Sequence, residues 1–319
     1  MGIVLNKKTL VSNGIQYAID NDYQHVFMIS NPVVAMVVRI IIDTYGIQSD
    51  KIVCISMRNT DTSIIEKTPI NPLSRWYDVI YTKIFGKTPF GRRIANVVRK
   101  KNDRFLLYAS WNYPDVEGLL CLPLCAGHIY LEEGWLSYGL YKPYTANQLN
   151  IWKSRLRYRN SRREDFKDYF RDDALAFIGI LPDVFPLVPN CKRKVLNDYG
   201  NALLKYKPKL TGIKTIGLTP APRRVAHNQW ESMLKALVDK MPDGGVIKLH
   251  PGFSADIMAK NELELMLTSI SRGLVVLCSD NIILEMEMLS ESKKLIGPRT
   301  SLVRYAKAFG SEFIQIELY

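Results

Sequence analysis

The sequence lacks a long uninterrupted apolar run, a signal-peptide pattern and the dense cysteine spacing of a disulfide scaffold. Its longest apolar run, residues 33–42, contains Arg39 and is too short to cross a bilayer. The N-terminus has no extended apolar stretch of the kind that a signal peptide requires. The five cysteines show no paired spacing typical of a zinc site or a disulfide framework. We therefore expect a soluble, cytoplasmic protein in a reducing compartment, with at most a peripheral association with the inner face of the plasma membrane.

Acidic residues are outnumbered, because 43 Lys and Arg stand against 31 Asp and Glu and give a formal net charge of +12. Such an excess favours a polyanionic partner: nucleic acid, an anionic membrane surface or an acidic polysaccharide. Positive charge is concentrated in residues 83–104 and 153–171, whose aromatic residues suit sugar stacking or interfacial contact. An ordinary solvated surface is the alternative interpretation. The candidates for binding an acidic acceptor or another polyanion are Arg92, Arg93, Arg155 and Arg159.

The first half of the chain alternates strand and helix patterns. Residues 25–30 form a short apolar run of β type, and Asn31-Pro32 after it is a typical helix start. Residues 33–45 carry helical periodicity that ends at Gly46, and residues 51–56 have the pattern of the next strand. This order predicts a parallel sheet with a right-handed crossover. Further strands are predicted at 104–110 and 128–131, and a helix at 146–170.

A proline-rich stretch, residues 181–211, separates this pattern from a second alternating unit, and one helix is predicted within it near 195–205. The strands predicted there are 214–218, 246–249, 274–278 and 294–297, and the helices are 230–241, 282–289 and 302–308. The fold class is therefore α/β, with two lobes joined by a linker. The predicted divisions are a first lobe with basic helices over 1–185, a linker over 186–212, a second lobe over 213–305, and a C-terminal helix or tail over 306–319 that returns to the first lobe.

His250 follows the predicted strand 246–249, at the carboxyl end where open α/β sheets bind ligands. An imidazole can donate a proton or a positive charge to a departing phosphate near neutral pH, and Lys248 adds a second positive charge. A lone histidine is more often a capping or core residue. The position after the strand and the following Pro251 favour the functional interpretation.

Two other groups occupy comparable positions. The acidic pair Glu132-Glu133 follows the predicted strand 128–131, and one carboxylate of such a pair can act as a base, although a solvated strand end is the alternative. Thr300-Ser301 precedes the predicted helix 302–308, where hydroxyls and backbone N–H groups can bind phosphate. An ordinary N-cap explains that pair when it is considered alone.

Together these motifs resemble those of the bacterial sialyltransferases, including the capsular polysialyltransferases. That family carries an acidic pair with glycine in its first lobe, and His-Pro, a glutamate and a hydroxyl pair in its second. The matching residues here, in the same order, are Glu132-Glu133-Gly134, His250-Pro251, Glu285 and Thr300-Ser301. Residues 284–289 also look like the family's helix whose glutamate holds the cytidine ribose. Two features depart from the pattern: the hydroxyl pair is Thr-Ser rather than Ser-Ser, and Glu287 could take the ribose role instead of Glu285.

The resemblance implies a GT-B-type fold, with two Rossmann-like lobes and a cleft between an acceptor-side first lobe and a second lobe that binds the nucleotide sugar. The donor would be CMP-sialic acid or a related CMP-nonulosonate, and the acceptor a hydroxyl of a surface glycan, in capsular polysaccharide or lipooligosaccharide. Glu132, in preference to Glu133, would remove the acceptor proton, and the reaction would invert the anomeric carbon. His250 would act as the acid toward the phosphate. The residues implied for the CMP site are Lys248, Pro251, Glu285, Thr300 and Ser301. No metal or other cofactor is expected, since no compelling Asp-x-Asp metal site is evident and His and hydroxyl groups can carry the phosphate charge.

Two other classes of function stay open. One is another GT-B transferase, such as a Kdo transferase or a glycerol-phosphate polymerase; the polymerase also uses His-Pro motifs, but its Asp-x-Ser-Ser companion is missing here. The other is a basic, non-enzymatic module that binds nucleic acid. That module would explain the charge but neither the acidic pair nor His250, and no recognised nucleic-acid motif is present. We therefore expect no nucleic-acid partner.

Overall fold

The computed structural model describes residues 7–57, 60–67, 104–110, 116, 119–120, 122, 124–139, 174–222, 225–250, 253, 257–278 and 282–317. The chain forms two compact units, Met1–Lys205 and Tyr206–Tyr319. Each unit is built on its own parallel β-sheet. The predicted α/β class with two Rossmann-like lobes is thereby confirmed.

In the described part of the first unit, six parallel strands lie in the order β2-β1-β3-β4-β5-β6. These strands are β1 (Gln24–Ile29), β2 (Ile52–Ser56), β3 (Phe105–Ala109), β4 (Cys125–Leu131), β5 (Ala174–Gly179) and β6 (Arg193–Val195). The accompanying helices are α1 (Lys7–Asp20) and α2 (Pro32–Tyr45), with 3-10 turns at Ser49–Lys51, Ser63–Ile65 and Trp135–Tyr138. Helix α3 (Gly200–Tyr206) ends at the first residue of the second unit.

Helix α2 shows how the local sequence sets these bounds. The Asn31 side chain accepts a hydrogen bond from Val34 N at 3.0 Å, and Pro32 occupies the first turn, where its missing N–H costs nothing. At the other end Gly46 takes a left-handed conformation that closes the helix. Arg39, the charge inside the apolar run, is buried, and its Nε donates to Asp43 Oδ2 at 2.9 Å. The buried guanidinium is therefore paired, which allows this helix to pack on the sheet.

The core of the first unit covers both faces of its sheet. All six residues of β1 are buried, as expected for a strand with packing on each side. On one face, alternate apolar residues of the neighbouring strands pack together, including Val26, Met28, Val53, Ile55 and Leu107. On the other face, Phe27 lies against Tyr108 with 4.3 Å between ring centroids. This double burial explains why the sequence shows continuous apolar runs rather than alternation.

The second unit has five described parallel strands in the order β11-β10-β7-β8-β9. They are β7 (Thr215–Leu218), β8 (Gly245–Lys248), β9 (Val275–Leu277), β10 (Lys294–Gly297) and β11 (Glu312–Gln315). The helices are α4 (Trp230–Val238), α5 (Ile257–Ser271), α6 (Leu284–Ser290) and α7 (Leu302–Ala308), with a 3-10 turn at His227–Gln229. Helix α4 buries Trp230, Met233, Leu234 and Leu237 in the core of this unit, the face that its helical spacing predicts.

Five of the described strands and α-helices were not predicted: β5, α1, α5, β6 and β11. The range 186–212 contains the predicted helix, observed as α3, and also β6, which pairs with β5 and so belongs to the first sheet. In the predicted C-terminal tail, residues 312–315 form β11, which pairs with β10. The predicted helix at 146–170 lies outside the described residues.

Among the described residues, no helix is both long enough and apolar enough to cross a membrane.

Candidate functional site

The carboxyl edge of the first sheet gathers polar residues from three strands. The order in which strands are added to the sheet reverses between β1 and β3, and ligands of open α/β sheets bind at such a switch point. Just beyond these strands the hydroxyls of Ser30 and Ser110 lie 3.0 Å apart, and both residues are buried. The Asn31 side chain donates to the carbonyl oxygen of Glu133 at 3.1 Å. The acidic pair that follows β4 is therefore fastened to the start of α2.

Glu132 lies completely inside the first unit. Its carboxylate accepts a hydrogen bond from the Tyr138 hydroxyl at 2.5 Å and another from Ile180 N at 2.7 Å. Its exposed fraction is 0%. Strand β5 leaves room for it at Gly179, where an added Cβ would lie 2.6 Å from Glu132 Oε2. The described geometry thus holds this carboxylate against the end of β5, where solvent does not reach it.

Glu133 differs from its neighbour in exposure. Its side chain is half-buried, and its backbone N–H donates to the Ser137 hydroxyl at 2.9 Å. Gly134 follows with a φ of 104°, a conformation that residues with a Cβ rarely adopt. The glycine of the motif therefore has a physical reason: it turns the chain sharply into the 3-10 turn that carries Tyr138 back to Glu132.

Tyr199 adds a half-buried polar group beside Glu132. Its hydroxyl donates to the Ile180 carbonyl at 2.9 Å, so Ile180 connects both side chains. Burial raises the pKa of Tyr199, and the Glu132 charge raises it further. Neither Tyr138 nor Tyr199 was predicted. Tyr138 lies in a 3-10 turn and Tyr199 in the loop between β6 and α3, and neither position belongs to a periodic pattern.

The carboxyl edge of the second sheet has its own switch point, between β7 and β10. Thr219 follows β7, and its hydroxyl accepts a hydrogen bond from His250 N at 2.9 Å. Thr219 N also donates to the Lys248 carbonyl at 3.2 Å, which continues the pairing of β7 with β8. The His250 side chain is exposed, and that of Lys248 is half-buried. Pro251 lies outside the described residues.

Two glutamates of helix α6 have different environments. Glu285, in the first turn, is buried with an exposed fraction of 5%. Glu287 is fully buried, and its carboxylate accepts from the Tyr206 hydroxyl at 2.8 Å, from Lys209 N at 2.9 Å and from Leu210 N at 3.0 Å. Glu287 is therefore committed to holding the chain that enters the second unit. Of the two, Glu287 is the one whose carboxylate is engaged by the chain that precedes β7.

Thr300 and Ser301 occupy the turn between β10 and α7. The Thr300 hydroxyl accepts a hydrogen bond from Leu302 N at 2.9 Å, so it already caps one N–H at the start of the helix. Both residues are half-buried. Because β8 and β10 both neighbour β7, and α6 starts beyond the end of β9, the parallel topology brings His250, Glu285 and this turn to one edge of the sheet.

The predicted polyanion-binding residues Arg92, Arg93, Arg155 and Arg159 lie outside the described residues. A basic cluster that sequence analysis did not single out lies at β6, on the edge of the first sheet. Lys192, Arg193 and Lys194 line a cavity of about 250 Å³ together with apolar residues of α1, β4 and β5. Lys194 Nζ lies 4.8 Å from the centroid of the Tyr45 ring. Within the described ranges, no group of three or more His, Cys, Asp or Glu side chains is arranged to hold a metal ion.

Comparisons with known proteins bear on the fold. The sequence matches no family model and no curated protein. Among solved structures, the complex of S. aureus MnaA with UDP aligns with a TM-score of 0.55 and 13% identity, over 92% of this chain and 79% of that one. The chain is similar in fold to MnaA. UDP-GlcNAc 2-epimerase from Neisseria meningitidis bound to UDP-GlcNAc gives a TM-score of 0.49 and 13% identity, over 92% and 83% of the two chains. E. coli heptosyltransferase WaaC with ADP-2-deoxy-2-fluoro heptose gives 0.37 and 12%, over 93% and 90%.

Proposed function

We propose that the protein is an inverting glycosyltransferase that moves sialic acid, or a related nonulosonate, from a CMP-sugar to a hydroxyl of a surface glycan. The observation that carries the proposal is the common edge of the second sheet on which His250, Glu285 and Thr300-Ser301 lie. These residues supply the groups that a CMP donor needs: a proton donor, a carboxylate for ribose hydroxyls, and hydroxyls for phosphate. The motif order shared with the bacterial sialyltransferases supports the same assignment.

At the donor, His250 and Lys248 meet the phosphate of CMP. When the bond between the anomeric carbon and the phosphate oxygen breaks, negative charge develops on the departing CMP, and His250 donates a proton to it. Thr219 fixes the backbone of His250 through the 2.9 Å hydrogen bond. The exposed imidazole therefore extends from an anchored backbone position. The Thr300-Ser301 turn and Pro251 complete the phosphate side, and Glu285 accepts hydrogen bonds from the ribose hydroxyls.

At the acceptor, one carboxylate of the acidic pair takes the hydroxyl proton while the acceptor oxygen attacks the anomeric carbon, which inverts that centre. The resemblance favours Glu132 as the base. The geometry favours Glu133, because the Glu132 carboxylate is fully buried and engaged by Tyr138 and Ile180. We assign proton removal to Glu133 and the support of the turn to Glu132. We assign the acceptor glycan, acidic or neutral, to the first unit. Arg92, Arg93, Arg155 and Arg159 are the residues that we propose for binding an acidic polymer or anionic lipid.

The fold similarity to MnaA is consistent with a pyrimidine nucleotide as ligand, since that structure contains UDP. At 13% identity it supports the architecture, and the choice of cytidine rests on the motifs alone. We propose a metal-independent reaction, in which His250 and the hydroxyls take the place of a cation at the phosphate. The location that we propose is the cytoplasm, at the inner face of the plasma membrane.

The proposal is tested first by binding. CMP at millimolar concentration should raise the thermal unfolding midpoint of the protein more than UMP, AMP or GMP does, because a ligand that binds only the native state stabilises it. With CMP-sialic acid and a glycan acceptor, CMP release should then continue in the presence of EDTA. His250→Ala should abolish release, whereas His227→Ala, at another exposed histidine of the same unit, should leave it unchanged. Absence of any CMP effect on the midpoint would remove the proposal.

The two acids are separated by a matched pair of variants. Glu133→Gln should lower kcat by about 100-fold or more and lower the unfolding midpoint less than Glu132→Gln does, because it removes a base and leaves the hydrogen bonds of Glu132 in place. Glu132→Gln should lower the midpoint, since it weakens two buried hydrogen bonds. The opposite result, with full activity in Glu133→Gln and none in a folded Glu132→Gln, would reassign the base to Glu132.

A further inference from the structure

One tyrosine hydroxyl bridges two points of helix α6. The Tyr206 hydroxyl accepts a hydrogen bond from Ile283 N at 2.8 Å and donates to Glu287 Oε1 at 2.8 Å. Ile283 immediately precedes the helix and Glu287 lies in its second turn. Glu285, the residue proposed for the ribose, sits between them. The helix segment that presents Glu285 is thus held on both sides by the same atom.

The hydroxyl is itself fixed in place. Tyr206 is buried, with an exposed fraction of 8%. Glu287 also accepts from Lys209 N and Leu210 N, so the carboxylate ties the residues just after Tyr206 to the same helix. Burial raises the pKa of Tyr206 above its ordinary value, and the nearby charges of Glu287 and Glu285 add to that rise. The phenol therefore stays protonated and can act as donor and acceptor at once.

Helix α6 needs this support because its own sequence offers little. It has only seven residues, and the residue at its N-cap, Ile283, has no polar side chain to accept an N–H from the first turn. Isolated helices of this length are unstable in water, so tertiary contacts determine where the first turn lies. The contact from Tyr206 to the Ile283 N–H is such a contact, and it lies two residues from Glu285.

We propose that Tyr206 is a positioning residue of the donor site, whose hydroxyl, together with Glu287, fixes the first turn of α6 so that Glu285 meets the ribose hydroxyls of the CMP donor. This inference rests on the proposed function. Tyr206 touches no substrate in this scheme and acts only through Glu285. Its effect belongs to donor binding, because the chemistry takes place at the phosphate and the anomeric carbon.

The test uses the full-length chain and measures CMP binding and steady-state rates with CMP-sialic acid. Tyr206→Phe keeps the ring and removes the hydroxyl. We expect the Kd for CMP and the KM for the donor to rise by about tenfold, the size of one buried hydrogen bond, with kcat changed by less than about twofold. The matched control is Tyr108→Phe, which removes a buried hydroxyl that lies 2.7 Å from His25 Nδ1 in the first unit. That control should lower stability and leave Kd and KM unchanged.

A double-mutant cycle separates positioning from general destabilisation. If Tyr206 acts through Glu285, adding Tyr206→Phe to Glu285→Gln should weaken CMP binding by less than about twofold, because the positioned group is already lost. Full additivity, or an unchanged Kd in Tyr206→Phe, would overturn the inference. Should Tyr206→Phe fail to fold, Glu287→Gln gives the same test, since its amide must face one of the donors that Glu287 now accepts from. Wild-type protein that does not bind CMP would refute the proposed function itself, whereas wild-type binding with no effect of these variants would refute only the role of Tyr206.

Discussion

Lys293 offers a direct measurement of what one buried charge contributes to the second unit. Its side chain has no exposed surface. The ammonium donates to the carbonyl oxygens of Leu210 and Ile213, at 2.6 and 2.9 Å, and to Glu291 Oε2 at 2.7 Å. A buried lysine with all three donors used is paired in the way that burial of a charge requires. Lys293→Met keeps the alkyl chain and removes the ammonium.

We expect this substitution to lower the free energy of unfolding of the second unit by about 3 kcal/mol, the lower end of the range for breaking a buried ion pair. The lower end applies because Glu291 keeps two other partners, the Lys214 ammonium and Gly212 N. The matched control is Lys214→Met, which removes the other lysine from the same carboxylate. Lys214 is 69% exposed, so its loss should cost about 0–1 kcal/mol.

The assay is urea unfolding of the whole chain, with hydrogen exchange read by mass spectrometry to assign each transition to one of the two units. Equal losses in the two variants would refute the reasoning, because burial would then make no difference. A titration gives an independent check. The pKa of Glu291 is lowered to about 2, by Lys214 first and then by Lys293 and Gly212 N. The stabilisation that comes from this lowered pKa is fully present above the unfolded pKa near 4.5 and is lost as pH falls toward 2. Lys214→Met should raise the Glu291 pKa more than Lys293→Met does, because Lys214 makes the larger contribution.

Three further predictions concern the first unit. Gly179→Ala should lower the free energy of unfolding of the first unit by about 1–3 kcal/mol, because an added Cβ would lie 2.6 Å from the buried carboxylate of Glu132. Gly139→Ala, where an added Cβ would have no atom within 4 Å, should change that free energy by less than about 0.5 kcal/mol in the same denaturation assay. Burial lowers the pKa of His25 from 6.5 to about 4, so the free energy of unfolding should fall by up to about 3 kcal/mol as pH drops from 6.5 to 4. If His25→Gln showed the same dependence of stability on pH as the wild type, this prediction would be wrong. Burial raises the pKa of Cys54 to about 12, so a maleimide at pH 8 should label the exposed Cys191 and spare Cys54, as peptide mapping would check.

Much of the fold could be predicted from local sequence because its strands are short apolar runs with polar boundaries. Strand β10 has the predicted bounds, and α2 begins and ends at the predicted Asn31-Pro32 and Gly46 signals. The prediction of α5 failed for a physical reason, since this helix carries Leu265 on its surface with 74% exposure. An outward leucine blurs the apolar stripe that marks an amphipathic helix. Strand β11, at the edge of the sheet, exposes Glu312 and Gln315 and so lacks an apolar run.

The candidate site was predictable in position but not in the division of roles. Residues at the carboxyl ends of parallel strands meet at one edge, so Glu132 and His250 could be found by counting strands. The sequence alone does not reveal which of the two carboxylates is buried and hydrogen-bonded within the first unit. Glu132 is taken up by the Tyr138 hydroxyl and by Ile180 N, a partner 48 residues further along the chain. A contact of that separation depends on the register of β4 against β5, which no local pattern encodes.

The two acids of α6 show why a motif match needs a structure to assign it. Glu285 and Glu287 are two residues apart, and side chains at that spacing on a helix do not face the same direction. The two side chains therefore point in different directions, and only one of them can face a given ligand. Glu287 accepts three hydrogen bonds from the segment 206–210 at the start of the second unit, so its direction is set by that segment. It follows that Glu287→Gln should lower the unfolding midpoint of the second unit and also weaken nucleotide binding, whereas Glu285→Gln should weaken nucleotide binding with a smaller loss of the midpoint.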